Sequence, residues 1–375
     1  MDTLIEEILV KEDEPPGRLS EWNNWNWQLK NSVSEVSRLK EIFSFSDSEL
    51  EGLEKITLKY PFAVTPYYLS LISVNLPDDP IKKQCIPSIQ ENDDFQTQDD
   101  PLGEEEDSVV PGLIHRYPDR ALITLTDMCP VYCRHCTRKR EWKKGKWVRT
   151  ENELKNIYDY LKDHKQIRDV IVSGGDPLLL STHKIEGVLK NLRTIPHLEI
   201  IRIGTRCPVV LPQRIDDELV AVLKKYRPLW LNTHFNHSNE ITEESARACD
   251  KILCAGIPIN NQSVLLKGVN DSVEAMKRLC EKLLTIGVRP YYLFQCDPVN
   301  GTGYLRTSIQ KGLEIIKQMR GSTSGLAIPT FVIDGLSGQG KIPLQPNYLI
   351  DLNEDHALLK GCRGGIFKYH NPGEK

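Results

Sequence analysis

From residue 121 onward the chain repeats one pattern, and that pattern limits the fold more than anything else in it. Short β-branched or apolar runs recur: ALITLT (121–126), DVIVSGG (169–175), LEIIRIGT (198–205), LWLNTHF (229–235), IPINNQSVLL (257–266) and RPYYLFQCD (289–297). Amphipathic stretches such as ENELKNIYDYLKDH and DSVEAMKRLCEKLLTIG separate them. Six strand–helix units in succession predict parallel strands with crossover helices, because parallel neighbours need a long connection. Polar residues gather where the runs end, at Ser173, Thr205, His234 and Asp297. In a βα barrel that edge carries the active site. Function-like residues after nearly every strand favour an α/β fold of the partial (β/α)6 barrel type over a doubly wound sheet.

Residues 1–110 read differently. WNNWNWQLKNSV (22–33) crowds aromatics before a helical pattern, and VTPYYLSLI (64–72) is apolar. SDSELEGLEKI (46–56) offers an N-cap serine and an acidic first turn. QENDDFQTQDDPLGEEEDS (90–108) is polar and acidic and reads as a connector. The expected organisation is a mainly helical N-terminal segment over 1–110, the barrel over 111–330 and a short C-terminal segment over 331–375.

Of the 375 residues, 39% are hydrophobic and 27% charged, as in an ordinary soluble protein with a substantial core. The net charge of -4 gives no global attraction to nucleic acid. The start, MDTLIEEILVKEDEPP, lacks a basic, apolar secretory pattern, and no run reaches the ~18 apolar residues of a membrane span. A cytoplasmic protein is expected, whose ten cysteines are thiols or metal ligands rather than disulfides.

Three of them stand together in MCPVYCRHCTRKRE (128–141): Cys129, Cys133 and Cys136, in a Cys-x3-Cys-x2-Cys array directly after the first strand. A structural zinc site wants four protein ligands. Three thiolates on a [4Fe–4S] cube would leave one iron open to a small molecule. Spacing and position favour that reading over a zinc knuckle with a distant fourth ligand or plain buried cysteines. The other seven are scattered and read as small buried hydrophobes. Of the basic side chains around the array, Lys139 and Arg140 read as a solvated or salt-bridged face.

The array resembles the radical S-adenosylmethionine signature. The wider stretch HRYPDRALITLTDMCPVYCRHCTRKR (115–140) resembles the lysine 2,3-aminomutase family. The resemblance continues through WNNWNWQLKN, SGGDPLLLS, IGTRCPVVLPQRI, LNTHFNHSNEITEESARAC, NQSVLLKGVND, RGSTSG and PTFVIDGLSGQGKIPLQPNY, so it covers about residues 20–370. It implies a [4Fe–4S] cluster on Cys129, Cys133 and Cys136. It implies S-adenosylmethionine near Ser173, Gly174, Gly175 and Asp176, with His234 and Gln262 as further contacts. It implies pyridoxal 5′-phosphate on the catalytic Lys341, with Arg116 and Arg120 at the phosphate and Tyr117 beside the cofactor. Arg138 would take the substrate α-carboxylate, and Asp297 and Asp334 the distal ammonium.

The implied reaction moves the α-amino group of L-lysine from C2 to C3, by way of a 5′-deoxyadenosyl radical. Arginine, ornithine or glutamate are alternative substrates, and a non-catalytic iron–sulfur sensor is the alternative of another class. Two departures stand out. Leu336, Ser337 and Gln339 sit where the family is richer in glycine, and Phe294 sits where lysine enzymes show tyrosine. Cys362 is the lone cysteine of KGCRGGIFKYHNPGEK, and Ser272 stands at the barrel-side position, so no zinc is expected. The expected partners are a small amino acid and an electron donor such as flavodoxin or ferredoxin, with no nucleic acid or membrane; a homo-oligomer is left open.

Overall fold

The computed structural model describes residues 20–92, 96–362 and 364–372. The acidic start of the chain lies outside these. Helices Trp25–Lys30, Val36–Ile42, Asp47–Lys59, Pro66–Ser70 and Lys82–Cys85 form the N-terminal part. The helix at Asp47 starts for the reason its sequence suggests. Ser46 Oγ accepts from the Glu49 amide, and the Glu49 carboxylate accepts from the Ser46 amide, a reciprocal cap. Its Leu53 and Ile56 turn inward. Leu39, Tyr68 and Leu53 share one core with the barrel strands. Polar bonds fasten this part further: Thr65 Oγ1 donates to the Val210 carbonyl at 2.8 Å, and Tyr68 Oη donates to Glu240 at 2.6 Å.

The main sheet has ten strands in strict chain order. They are β1 (Ser108–Val110), β2 (Leu113–Tyr117), β3 (Arg120–Thr124), β4 (Asp169–Ser173), β5 (Ile200–Gly204), β6 (Leu229–Thr233), β7 (Ile259–Leu265), β8 (Arg289–Gln295), β9 (Thr330–Gly335) and β10 (Gly340–Leu344). The run β3 to β9 is parallel throughout. β1 and β2 add antiparallel strands at one edge and β10 at the other. The two edges do not pair with each other, so the sheet is an open, partial barrel.

The six expected runs are β3 to β8. The run at 328–334 adds one more parallel strand, because it is β-branched and follows the helix Ile309–Met319 as another strand–helix unit. The expected division between residues 330 and 331 therefore falls at the start of β9, and Lys341 stands on a strand of the barrel's own sheet.

Crossover helices cover the sheet. Helix Glu151–Asp163 is capped by Thr150 and buries Leu154, Ile157 and Leu161 at helical spacing. They share one buried core with Val170 and Val172 of β4 and Ile201 and Ile203 of β5. Each such side chain contributes about 1.5–3 kcal/mol. Beyond the barrel, β11 (Leu349–Leu352), β12 (His356–Lys360) and β13 (Ile366–His370) form a separate antiparallel meander. Its Leu349, Leu352, Ile366, Phe367 and Tyr369 are exposed. No described helix is long and apolar enough to cross a membrane.

Candidate active site

The loops that follow β3, β4, β5 and β6 line one cavity. Of the residues singled out in the sequence, it gathers Cys129, Cys133, Cys136, Arg138, the Ser173–Asp176 turn and His234. Gln262, on β7, does not line it. Lys341, Asp334, Asp297, Arg116, Tyr117 and Arg120 form a second group, around β2, β8, β9 and β10.

Buried charges hold the cysteine loop. Arg134 is fully buried and donates from Nε and Nη2 to the two oxygens of Glu91, at 2.9 and 2.5 Å. Its Nη1 and Nη2 also reach the Pro61 and Tyr60 carbonyls. Lys139 Nζ donates to the same Glu91 at 2.8 Å and to the Gly301 carbonyl at 2.7 Å, and lies 4.5 Å over the Tyr60 ring. Burial pushes Glu91 upward, but the charges of Arg134 and Lys139 outweigh it and hold the carboxyl below its ordinary range. Lys139, expected on a solvated or salt-bridged face, is thus ion-paired but buried, since a carboxylate from the N-terminal part comes in to meet it. Burial lowers its ammonium to about 8 against the pull of Glu91.

At two of the cysteines burial favours the thiol form. Burial, then the neighbouring cysteine sulfurs, push Cys129 well up and Cys136 up to about 11. Arg206 Nη1 donates to Cys133 Sγ at 2.7 Å, while its Nη2 is shared among Tyr68, Gln84 and Glu240. Among the described residues no three His, Cys, Asp or Glu side chains stand together as a site for one metal ion. Three thiols set around a cavity suit a cluster in which each cysteine binds a different iron. His135, between two of the cysteines, is buried, and its Nδ1 has no partner among the described residues. Burial, then Arg206, lowers His135 and His234, the latter to about 4, so both rings are neutral.

The Ser173–Asp176 turn explains its glycines by backbone contact. Gly174 has φ +128°, and a Cβ there would run into the Thr126 carbonyl. A Cβ on Gly175 would run into the Met128 carbonyl. The Gly175 and Asp176 amides donate to these same two carbonyls, at 2.5 and 2.7 Å. The turn is therefore zipped onto the chain leading to Cys129. The Asp176 carboxylate is taken up by the protein: it accepts from the Leu178 amide, Thr205 Oγ1 and the Arg206 amide.

At the second group, Lys341 Nζ donates to both oxygens of Asp334, at 2.6 and 2.9 Å, and lies 4.6 Å over the Phe294 ring. The Lys341 amide donates to Tyr117 Oη at 2.9 Å. Gly340, at φ +79°, brings the chain so close that a Cβ would sit 2.9 Å from that hydroxyl. Arg120 stacks on the Tyr117 ring at 4.3 Å. Arg116 donates to Asp107 at 2.6 Å and to the Leu102 carbonyl. Burial and the neighbouring Asp334 carboxylate push Asp297 up to about 7, against the pull of Lys341 and Arg306. Ser337 takes a left-handed φ of +49° in the loop that departs from the family's glycines.

Glu104 was missed in the sequence and joins the two groups. It is buried, and Arg138 grips it with two N–H bonds, at 2.9 and 2.6 Å, while Arg140 adds a third at 3.1 Å. Burial raises its carboxyl, but Arg138 and Arg140 prevail and lower it to about 2. From the acidic stretch read as a connector, Glu91, Asp100, Glu104 and Glu105 supply counter-charge to the basic cysteine loop. The signal was the matching of an acidic run with a basic one.

A protein-family model described as lysine-2,3-aminomutase matches residues 316–375, and one for the radical SAM superfamily matches 123–280. The L-lysine 2,3-aminomutase of Clostridium subterminale is 51% identical over 354 residues, covering 94% of this chain and 85% of that protein. That of Methanococcus maripaludis is 47% identical, covering 95% and 83%. The glutamate 2,3-aminomutase of Clostridioides difficile is 42% identical, covering 94% and 83%. Radical SAM enzymes work with a [4Fe–4S] cluster and S-adenosylmethionine. The cysteine trio, its cavity and the unpartnered His135 Nδ1 fit that pair. This chain belongs to the lysine 2,3-aminomutase family of radical SAM enzymes.

Proposed function

We propose that the protein is a 2,3-aminomutase acting on L-lysine, moving the α-amino group from C2 to C3 to give β-lysine. The observation that carries the choice of amino acid is the carboxylate pair. Asp334 already holds an alkylammonium, the protein's own Lys341, in a two-oxygen grip. Asp297 lies within its electrostatic reach, with a carboxyl raised by burial and then by Asp334. When Lys341 Nζ is engaged elsewhere, both carboxyls lose the cation that they share electrostatically, and a distal ammonium is what replaces it. A glutamate side chain would add a third negative charge. Relatives named for lysine and for glutamate both resemble this chain, so family membership leaves the amino acid open and the pair supports lysine.

Pyridoxal phosphate, when bound, supplies a carbonyl that takes an amine nitrogen and a conjugated system that spreads an unpaired electron. The residues present fit it. Lys341 offers a side-chain amine paired with a carboxylate over the Phe294 ring, on a strand whose first residue, Gly340, packs against Tyr117. Arg116 and Arg120 flank Tyr117 and would hold the phosphate. Arg138 would hold the α-carboxylate, and Asp297 and Asp334 the ε-ammonium. Ser173, Gly174, Gly175, Asp176, His234 and Gln262 would surround S-adenosylmethionine. A non-catalytic sensor has no use for Lys341 or the carboxylate pair. An electron donor such as flavodoxin or ferredoxin would reduce the cluster, and the exposed apolar face of β11–β13 supports a homo-oligomer.

The test is an anaerobic assay with reconstituted cluster, pyridoxal phosphate, S-adenosylmethionine and dithionite. Lysine, arginine, ornithine and glutamate are offered in equal amounts, and products are resolved by mass spectrometry. β-Lysine as main product is expected. β-Arginine or β-ornithine would keep the cation site and move the substrate, and β-glutamate would overturn the reading of both aspartates.

A further inference from the structure

We infer that Glu104 is a positioning residue for the substrate's α-carboxylate: it fixes the guanidinium of Arg138 by one edge and leaves the other edge for the substrate. The inference rests on the reading of Arg138 as the carboxylate partner. A guanidinium has five N–H donors in a rigid plane and can meet a carboxylate along either of two edges. Glu104 occupies the edge formed by Nε and Nη2, with its two oxygens at 2.9 and 2.6 Å. Nη1 donates to the Gly174 carbonyl at 3.2 Å, on the turn that lines the cavity. Those three bonds leave one N–H on each Nη atom without a partner among the described residues.

Glu104 could instead be a placeholder that the substrate must evict. Its surroundings favour the fixed role. Its Oε2 is shared with Arg140, which also pairs with Asp100 at 3.3 Å, so releasing Arg138 would strip a second buried arginine of part of its charge partner. The loop that carries it is tied down on both sides. The Leu102 carbonyl accepts from Arg116, and the Pro101 carbonyl accepts from the Ser337 amide at 3.0 Å. Gly103, at φ +65°, packs so that a Cβ would lie 3.3 Å from Ser337 Cα. The same loop thus touches the arginine assigned to the carboxylate, the arginine assigned to the phosphate and the turn before Lys341. Arg138 and Lys341 are thus tied to one and the same segment.

The test uses holoprotein and the absorbance change of its pyridoxal chromophore on titration with lysine and with lysinamide, which lacks the carboxylate. Glu104→Gln should weaken lysine about 10-fold, of the order expected for one charged hydrogen-bonding contact, and leave lysinamide unchanged. Glu104→Asp, which keeps the charge, should fall between. Tighter lysine binding in Glu104→Gln would show a competing placeholder, and an equal change for both ligands would show a merely structural residue. Either overturns the inference, as does no change. Arg138→Lys separates the two layers. If it treats lysine and lysinamide alike, the assignment of Arg138 itself fails. If it discriminates while Glu104→Gln does not, only the role of Glu104 fails.

Discussion

The cysteine loop and the Lys341 strand both carry a lysine paired with a carboxylate, and the two pairs are built in opposite ways. Lys139 and Glu91 are buried to within 1%, and Arg134 shares the same carboxylate. Lys341 is 36% exposed, and its partner Asp334 has a second carboxylate, not a second cation, for a neighbour. In the first pair every charge is answered, and removing one partner leaves ions stranded in a dry interior. In the second the ammonium is loosely committed, screened by solvent and replaceable. On the proposed reading the difference serves two roles: the first pair keeps the cluster ligands in place, and the rim leaves the pyridoxal lysine room to exchange partners.

Cysteine removal should break the comparison hardest. Cys133→Ser should lose the cluster, seen as a fall in bound iron and sulfide, and product formation should drop below detection. Normal iron content would mean that the sulfur beside Arg206 is not a ligand. Next in size, Glu91→Ala should destabilise the fold by about 3–5 kcal/mol, because Arg134 and Lys139 stay buried without their counter-ion. Urea denaturation would measure it. Glu51→Gln, at an exposed pair with Lys55, is the control and should leave the curve where it is.

At the rim the expected effects fall on binding. Asp334→Asn should weaken lysine binding roughly 10- to 100-fold with little loss of stability. It should leave norleucine, an isostere without the ammonium, unaffected. Equal weakening of both would place the ammonium elsewhere. Smallest of all, Ser337→Gly relieves a left-handed backbone and should raise stability by at most about 1 kcal/mol, which a thermal melt can register.

What was legible in the sequence divides along the same line. Strands β3 to β8 could be read because each buries alternate or continuous apolar residues between amphipathic helices, a pattern local to each segment. The strand-end residues followed from that. Glu91 and Glu104 could not be read in the same way, since their partners lie 43 and 34 residues away and isolated acids in a polar stretch look solvated. The burial of Lys139 escaped notice for the same reason, although its ion pair was among the readings. The close packing of the 173–176 glycines on the backbone at 126–128 was not legible either, since it joins segments about 48 residues apart. The meander β11–β13 gave little signal because its apolar residues face outward and interleave with charges.

The pH dependence of lysine binding tests the central claim, a carboxylate pair poised for a cation, most directly. Asp297 carries its proton below about 7, held there by burial and by Asp334 against Lys341 and Arg306. The ε-ammonium of lysine stays charged well past that, to roughly 10.4. Affinity should therefore rise as pH rises through about 7, and Asp297→Asn should remove that rise. Without substrate the sign reverses for the fold: the folded carboxyl holds its proton more tightly than the unfolded one, so this residue costs stability as pH rises to about 7. A lysine titration of the pyridoxal chromophore from pH 6 to 8, in wild type and Asp297→Asn, decides it. A rise confined to the wild type is the predicted result. A flat wild-type profile, or the same rise in both proteins, would contradict the account.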